Sequence, residues 1–128
     1  MDIVVELENG SIANVEIQKI SYLFPAQRMS CYSADLLLRQ YSRVKGKRGK
    51  KFTYNDLKKV YTIIIFEKSP AELHREGLYN MYVHHGTTVF NTGIKMEMLQ
   101  DYYLIPLDVF KKSYYSMDKK DINELNGW

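Results

Sequence analysis

Cysteine is almost missing from this chain: Cys31 stands alone in 128 residues. An internal disulfide is thereby excluded, which points to a reducing compartment, the cytoplasm. Proline and glycine are also sparse, at three and seven, and there is no internal repeat. No low-complexity tract occurs apart from one basic stretch. No apolar run approaches the roughly 20 residues of a membrane span, so a membrane is not an expected partner. The acidic, strand-like N-terminus is unlike a signal peptide. Histidine numbers three, and no Cys/His spacing suits zinc. His84 and His85 are adjacent, so on a strand they would point to opposite faces and could not easily share an ion. His74 is isolated. Gly46 and Gly49 sit in a lysine-rich stretch with no buried strand before it, which is not a phosphate-cradling loop. No Ser-His-Asp signature is present.

What remains is ordinary globular material. Hydrophobic residues make up 45% and charged residues 26%, enough for one domain with its own core. The net charge of +3 permits nucleic-acid binding without demanding it. Tyrosine is the abundant entry, at 11 copies. Its ring packs while its hydroxyl stays polar, so a tyrosine-rich core edge is the default expectation.

The organising stretch is Met1 to Gln18, MDIVVELENGSIANVEIQ, which reads as a β-hairpin. Ile3, Val5 and Leu7 alternate with Asp2, Val4 and Glu6. Val15 and Ile17 alternate with Asn14, Glu16 and Gln18. A two-residue Asn9-Gly10 loop would oppose Ile3 to Glu16 and mismatch the faces. A loop of odd length, with Gly10 in a left-handed conformation, opposes Ile3 to Val15 or Ile17 instead. That register brings Asp2 beside Glu16 or Gln18, a set of hard oxygen donors suited to Mg²⁺ or Mn²⁺. The competing reading makes these acids the solvated face of a half-buried sheet. Under both readings the apolar face opposite them is core.

A helix is expected from Pro25 to about Arg43, with Met29, Tyr32, Leu36, Leu37, Tyr41 and Val44 as its apolar stripe. Arg28 lies off that stripe, one turn before Tyr32. Cys31 is expected to pack. Lys45 to Lys51, KGKRGKK, reads as a mobile loop whose Lys45, Lys47, Arg48, Lys50 and Lys51 either hold a DNA backbone or are solvated. Phe52 to Leu57 reads as a turn, and Val60 to Phe66 as a central strand buried on both faces. Ala71 to Gly77 reads as a helical turn or loop. Leu78–His85, Thr87–Phe90, Ile94–Leu99 and Tyr102–Leu107 are strand candidates. Gly93 marks a turn, Asp108 starts a short helix to Tyr115, and Ser116 to Trp128 is a polar tail. The order of elements argues α/β with a mixed sheet.

Asp2, then a hairpin, then Glu16-Ile17-Gln18 resembles the signature of PD-(D/E)XK nucleases, with Gln18 in the lysine position. The stretches NVEIQ, RMSCY, FTYNDLKKVYTIIIFEKS, YVHHGTTVFNTG and YLIPLDVFKK resemble the PD-(D/E)XK nuclease family transposases, also called recombination-promoting nucleases. The likeness covers nearly the whole chain. It implies a restriction-endonuclease-like α/β core, a central mixed sheet flanked by helices. The helix that usually precedes the Asp is missing, and the single domain over residues 1–128 reads as incomplete at both ends. It further implies a metal-dependent DNA endonuclease, with Asp2 and Glu16 on Mg²⁺ or Mn²⁺ and Gln18 as third catalytic residue. Where family members carry lysine, its ammonium stabilises charge or orients water. Gln18 would position water or offer a carbonyl oxygen, and Arg28 or a lysine of the basic stretch would contact phosphate. DNA is the expected partner, and a homodimer stays open. The alternatives are a catalytically inactive DNA-binding module of the same fold and a structural or interaction domain.

Overall fold

The computed structural model describes residues 2–19, 26–78 and 80–116. Pro25 and residues 117–128, expected as a helix start and a polar tail, lie outside them. Two strands open the chain, β1 (Asp2–Glu6) and β2 (Ile12–Gln18). Their register is one of the two that the alternation allows, with Ile3 opposite Val15 and Asp2 opposite Glu16. The connecting loop is odd in length. It closes through Leu7 N–H to Ser11 O at 2.8 Å and Gly10 N–H to Leu7 O at 2.9 Å. Gly10 takes φ +89°, and a Cβ there would stand 3.2 Å from Lys58 Cγ, so a left-handed glycine fixes this register.

Helix α1 (Gln27–Arg48) carries the chain back so that β3 (Val60–Phe66) can lie parallel to β2. It runs five residues past the expected end and absorbs most of the supposed lysine loop. Lysine and arginine are good helix formers, and the cost of Gly46, about 1 kcal/mol, is met by neighbours. The basic residues of the last turn complement the negative end of the helix dipole. Gly49, at φ +56°, ends the helix with its N–H on Lys45 O. Two short 3-10 turns follow, Gly49–Lys51 and Tyr54–Asp56, the second where a turn is expected.

The sheet has five strands in the order β1-β2-β3-β5-β4, with β4 (His84–Gly86) antiparallel and β5 (Gln100–Pro106) parallel to its neighbour. Helix α2 (Leu107–Ser116) follows directly. Mixed sheet and flanking helices make the α/β, restriction-endonuclease-like core. Strand β4 keeps only the end of the expected Leu78–His85 strand and runs on into Gly86, and among the described residues 78, 80–83, 87–90 and 94–98 form no strand. Their apolar residues are largely exposed, so alternation there had no second strand to pair with. Ala71–His74 is a 3-10 turn and Gly93 sits in a turn at φ +80°. Among the described residues no helix is long and apolar enough to cross a membrane.

Strand β3 is central but not buried equally on its two faces. Val60, Thr62, Ile64 and Phe66 are fully enclosed under α1, while Tyr61, Ile63 and Ile65 are half-buried. The core lies on the helix side, as one cluster of Ile12, Leu36 and Val60 and another of Ile64, Phe66 and Leu73 with Met29 and Leu104. This inverts the expected polarity of the hairpin. Ile3, Val5 and Ile17 are exposed, and Asn14 and Glu16 are buried. The helix face that meets the sheet is itself polar in part. Ser33, Leu36 and Gln40 are its buried residues, and Cys31, expected to pack, is exposed.

Candidate active site

Glu16 sits near the carboxyl end of β2, 3% exposed, facing the start of α1. A carboxylate so enclosed needs partners, because burying charge without them is costly. The first turn of α1 supplies one. Arg28 Nη2 lies 3.0 Å from Glu16 Oε1, and the positive end of the helix dipole adds to it. Arg28 is fixed in turn by Tyr32, one turn on. Its Nε donates to Tyr32 Oη at 2.7 Å, and its guanidinium carbon is 5.1 Å from the ring centroid. Glu16, Arg28 and Tyr32 thus form a chain of contacts linking sheet to helix. Glu16 is therefore not part of a solvated face, whereas Glu6 is exposed.

Residue 2 occupies the β1 position directly opposite Glu16, where paired Cα atoms stand about 4.5–5.5 Å apart. Gln18 follows Glu16 on the same face at the strand's end, half-buried, and its carbonyl accepts Glu67 N–H at 3.0 Å. Open α/β sheets present ligands outside the carboxyl ends of their parallel strands, and these positions lie at that edge. Among the described residues no group of three or more His, Cys, Asp or Glu side chains is arranged to hold a metal. Mg²⁺ asks for less, since one or two carboxylates suffice when water and phosphate complete its shell.

The basic residues do not join this site. From Arg28 to Lys47, nineteen residues along α1, the helix rises about 28 Å. Lys45, Lys47, Arg48, Lys50 and Lys51 are exposed at its far end. Adjacency in sequence suggested nearness, and the rigid helix removes it. Lys45 Nζ donates to Tyr41 Oη at 2.9 Å, and Arg48 pairs with Asp56 at 2.8 Å. The hydrogen bond from Lys45 lowers the Tyr41 phenol and raises the Lys45 ammonium relative to their ordinary values.

Two polar clusters gave no signal in the sequence, because their members are far apart along the chain. Asp101, 3% exposed, gathers Lys59 Nζ at 3.2 Å, His85 Nε2 at 3.2 Å and Thr87 Oγ1 at 3.1 Å. Burial pushes its carboxyl up, but the hydrogen bonds from His85, Lys59 and Thr87 outweigh that and hold it below the usual range. His85 also stacks on Tyr103, rings 4.4 Å apart. His84 faces the other side beside Leu104, so the two histidines are separated as expected. His74, isolated in sequence, is not isolated in space: its Nε2 is 2.8 Å from Ser69 Oγ and 3.0 Å from Asp108 Oδ2. Ser69 donates directly to Asp108 through both N–H and hydroxyl. The imidazole does not stand between serine and carboxylate, so this is a lock on the start of α2, not a nucleophile triad.

Searches among curated proteins and among solved structures return no match. The model of one family, described as PD-(D/E)XK nuclease family transposase, matches residues 1–128, and with its mixed sheet and a Glu-x-Gln strand beside an Asp-bearing one, the chain belongs to that family.

Proposed function

We propose that the protein is a metal-dependent DNA endonuclease that hydrolyses phosphodiester bonds, of the recombination-promoting type. The observation that carries this reading is the buried Glu16, enclosed at the carboxyl edge of the parallel strands with Asp2 as its register partner. Carboxylates are kept in such places at a cost that stability alone seldom justifies. Asp2 and Glu16 would hold Mg²⁺ or Mn²⁺, with water and substrate phosphate completing the shell. The bound ion supplies Lewis acidity toward the scissile phosphate and a water acidified enough to attack at neutral pH.

The chain's own residues divide the remaining work. Gln18 carries no charge, so it orients water or phosphate by hydrogen bonding. Arg28, beside Glu16, takes the charge-stabilising part that lysine plays in other family members. The lysines at the far end of α1 are too distant to do so. An inactive DNA-binding module remains the second reading, favoured by the ion pair itself, since Arg28 already occupies one oxygen of Glu16.

Titration calorimetry with Mn²⁺ and plasmid nicking separate the two. The enzyme reading expects Mn²⁺ binding and Mg²⁺- or Mn²⁺-dependent nicking, both lost in Glu16→Gln, with Ca²⁺ supporting binding better than cleavage. Nicking that persists in Glu16→Gln, in a preparation free of other nucleases, overturns it. DNA binding without metal binding supports the inactive module.

A further inference from the structure

The far end of α1 carries more than charge. Between Arg43 and Lys58 there are seven basic side chains and one acid, Asp56. That local excess of six exceeds the net +3 of the whole chain, so the remainder is net acidic. The positive potential is concentrated at one end of the molecule. Lys47, Lys50 and Lys51 have no acidic partner among the described residues. A groove at this end is lined by Arg43, Lys47 and Lys58 together with the acids Glu6 and Asp56.

Three aromatic rings stand in the middle of this charge. Tyr41, Phe52 and Tyr54 pack on one another, with Phe52 edge-on to both tyrosines at 5.5 Å. Tyr54 is stacked over Tyr41 at 6.1 Å and 12°, yet it is 73% exposed. One side of its ring is supported and the rest is open to solvent. The Thr53 N–H to Asp56 bond at 2.9 Å and the Arg48–Asp56 pair at 2.8 Å hold the turn that carries it. A ring supported on one side, 73% exposed and close in sequence to lysines without an acidic partner has the composition of a stacking platform for an unpaired base, whose neighbouring phosphates the lysines would hold. Duplex DNA offers such a ring no base face, so the aromatic component singles out unpaired nucleotides.

We propose that Tyr54, backed by Tyr41 and Phe52 and close in sequence to Lys47, Lys50 and Lys51, is a binding site for single-stranded nucleic acid, beside Tyr41 and so about 20 Å along α1 from Arg28, the partner of Glu16. This deepens the nuclease reading, and rests on it for the identity of the nucleic acid as DNA. The substrate class is then DNA with an unpaired segment near the cut.

The test is fluorescence anisotropy with a labelled single-stranded oligonucleotide and the duplex of the same sequence, in Ca²⁺, over a range of salt. Tyr54→Ala should weaken single-strand binding about tenfold and leave duplex binding within twofold, while Tyr54→Phe retains wild-type affinity. Lys50→Ser with Lys51→Ser should weaken both and reduce the single-strand salt slope by about 1.4. The ratio of the two affinities guards against misfolding, which would lower both. Single-strand affinity unchanged in Tyr54→Ala, or an equal loss on both DNAs, overturns the platform. Nicking by the wild-type protein is measured alongside. Nicking with no Tyr54 effect removes the platform and leaves the nuclease. A Tyr54 effect without metal-dependent nicking supports the platform and removes the nuclease.

Discussion

Replacing Arg28 by methionine removes a guanidinium while keeping most of the side chain's length. The carboxylate it leaves behind is the point of the experiment. Glu16 is 4% exposed in its side chain and Arg28 38%, so the pair is enclosed on one side and wet on the other. Breaking a fully buried pair costs about 3–5 kcal/mol, and an exposed pair is worth about 0–1 kcal/mol. The intermediate exposure of Arg28 places Arg28→Met at about 2 kcal/mol. For a domain of this length that lowers the melting temperature by about 8 °C, read by circular dichroism at pH 7. Glu16→Gln should cost less, about 1 kcal/mol, because an amide is cheaper to bury than a charge. The double variant should then be more stable than the sum of the two losses predicts, by about 1 kcal/mol, the signature of a direct interaction.

The same substitution has a functional side. A guanidinium 3.0 Å from Glu16 repels any divalent ion that approaches the carboxylate, and it also stabilises charge on a phosphate. Arg28→Met should therefore raise Mn²⁺ affinity and lower the nicking rate. A melting temperature within 2 °C of wild type, or strict additivity in the double variant, would refute the stability argument. Reduced metal affinity would refute the electrostatic one and make Arg28 a residue that merely positions Glu16.

Two further outcomes are expected. The Asp101 carboxyl is held below its ordinary range, so its contribution is present above the unfolded-state value near 3.9 and is lost as pH falls through the folded value; Asp101→Asn should lower stability at pH 7 by about 2 kcal/mol and flatten the acid limb of an unfolding-versus-pH curve, and an equal slope in both proteins would count against the network. Gln40 donates to Lys58 O at 2.9 Å and accepts Lys58 N–H at 2.6 Å, so Gln40→Leu should cost about 2–4 kcal/mol by leaving two backbone groups unpaired, seen as a lower urea midpoint at constant m; a loss below 1 kcal/mol would mean that water replaces the amide.

The hairpin register, the central strand and the position of α2 were legible because each is written locally. Alternation, an odd loop and Gly10 narrow the pairing of β1 and β2 to two registers that share the same faces. The apolar, β-branched run of β3 needs no partner to be recognised. Which face of the hairpin a helix would cover was not legible. Alternation defines two faces and is silent about which is packed, and the apolar one was the natural choice. The helix decides otherwise, because its own buried face includes Ser33 and Gln40. Gln100 donates to Ser33 Oγ at 2.8 Å and Gln40 closes on the Lys58 backbone, so a partly polar helix face satisfies a partly polar sheet face. Similarly, Asp101 and Asp108 draw partners from up to 42 residues away, a separation at which single-sequence patterns carry no information.

The length of α1 links the two proposals. Lysines that follow Glu16 closely in sequence would, on a flexible loop, fold back over the carboxylate and supply the missing cation there. A continuous helix of 22 residues forbids that, since its C-terminal residues cannot return to its N-terminal turn. The cation beside Glu16 has to come from the first turn, which is where Arg28 stands, and the remaining positive charge is displaced by about 28 Å. Duplex DNA rises about 3.4 Å per base pair, so the displacement corresponds to about eight base pairs. The aromatic rings pack on Tyr41, about 20 Å along α1 from Arg28, and on the proposed reading a base would stack on Tyr54 only where pairing has ended. Helix continuity from Arg28 through Tyr41 to Lys47 would thus separate the proposed position of cleavage from the proposed position at which unpaired DNA is recognised.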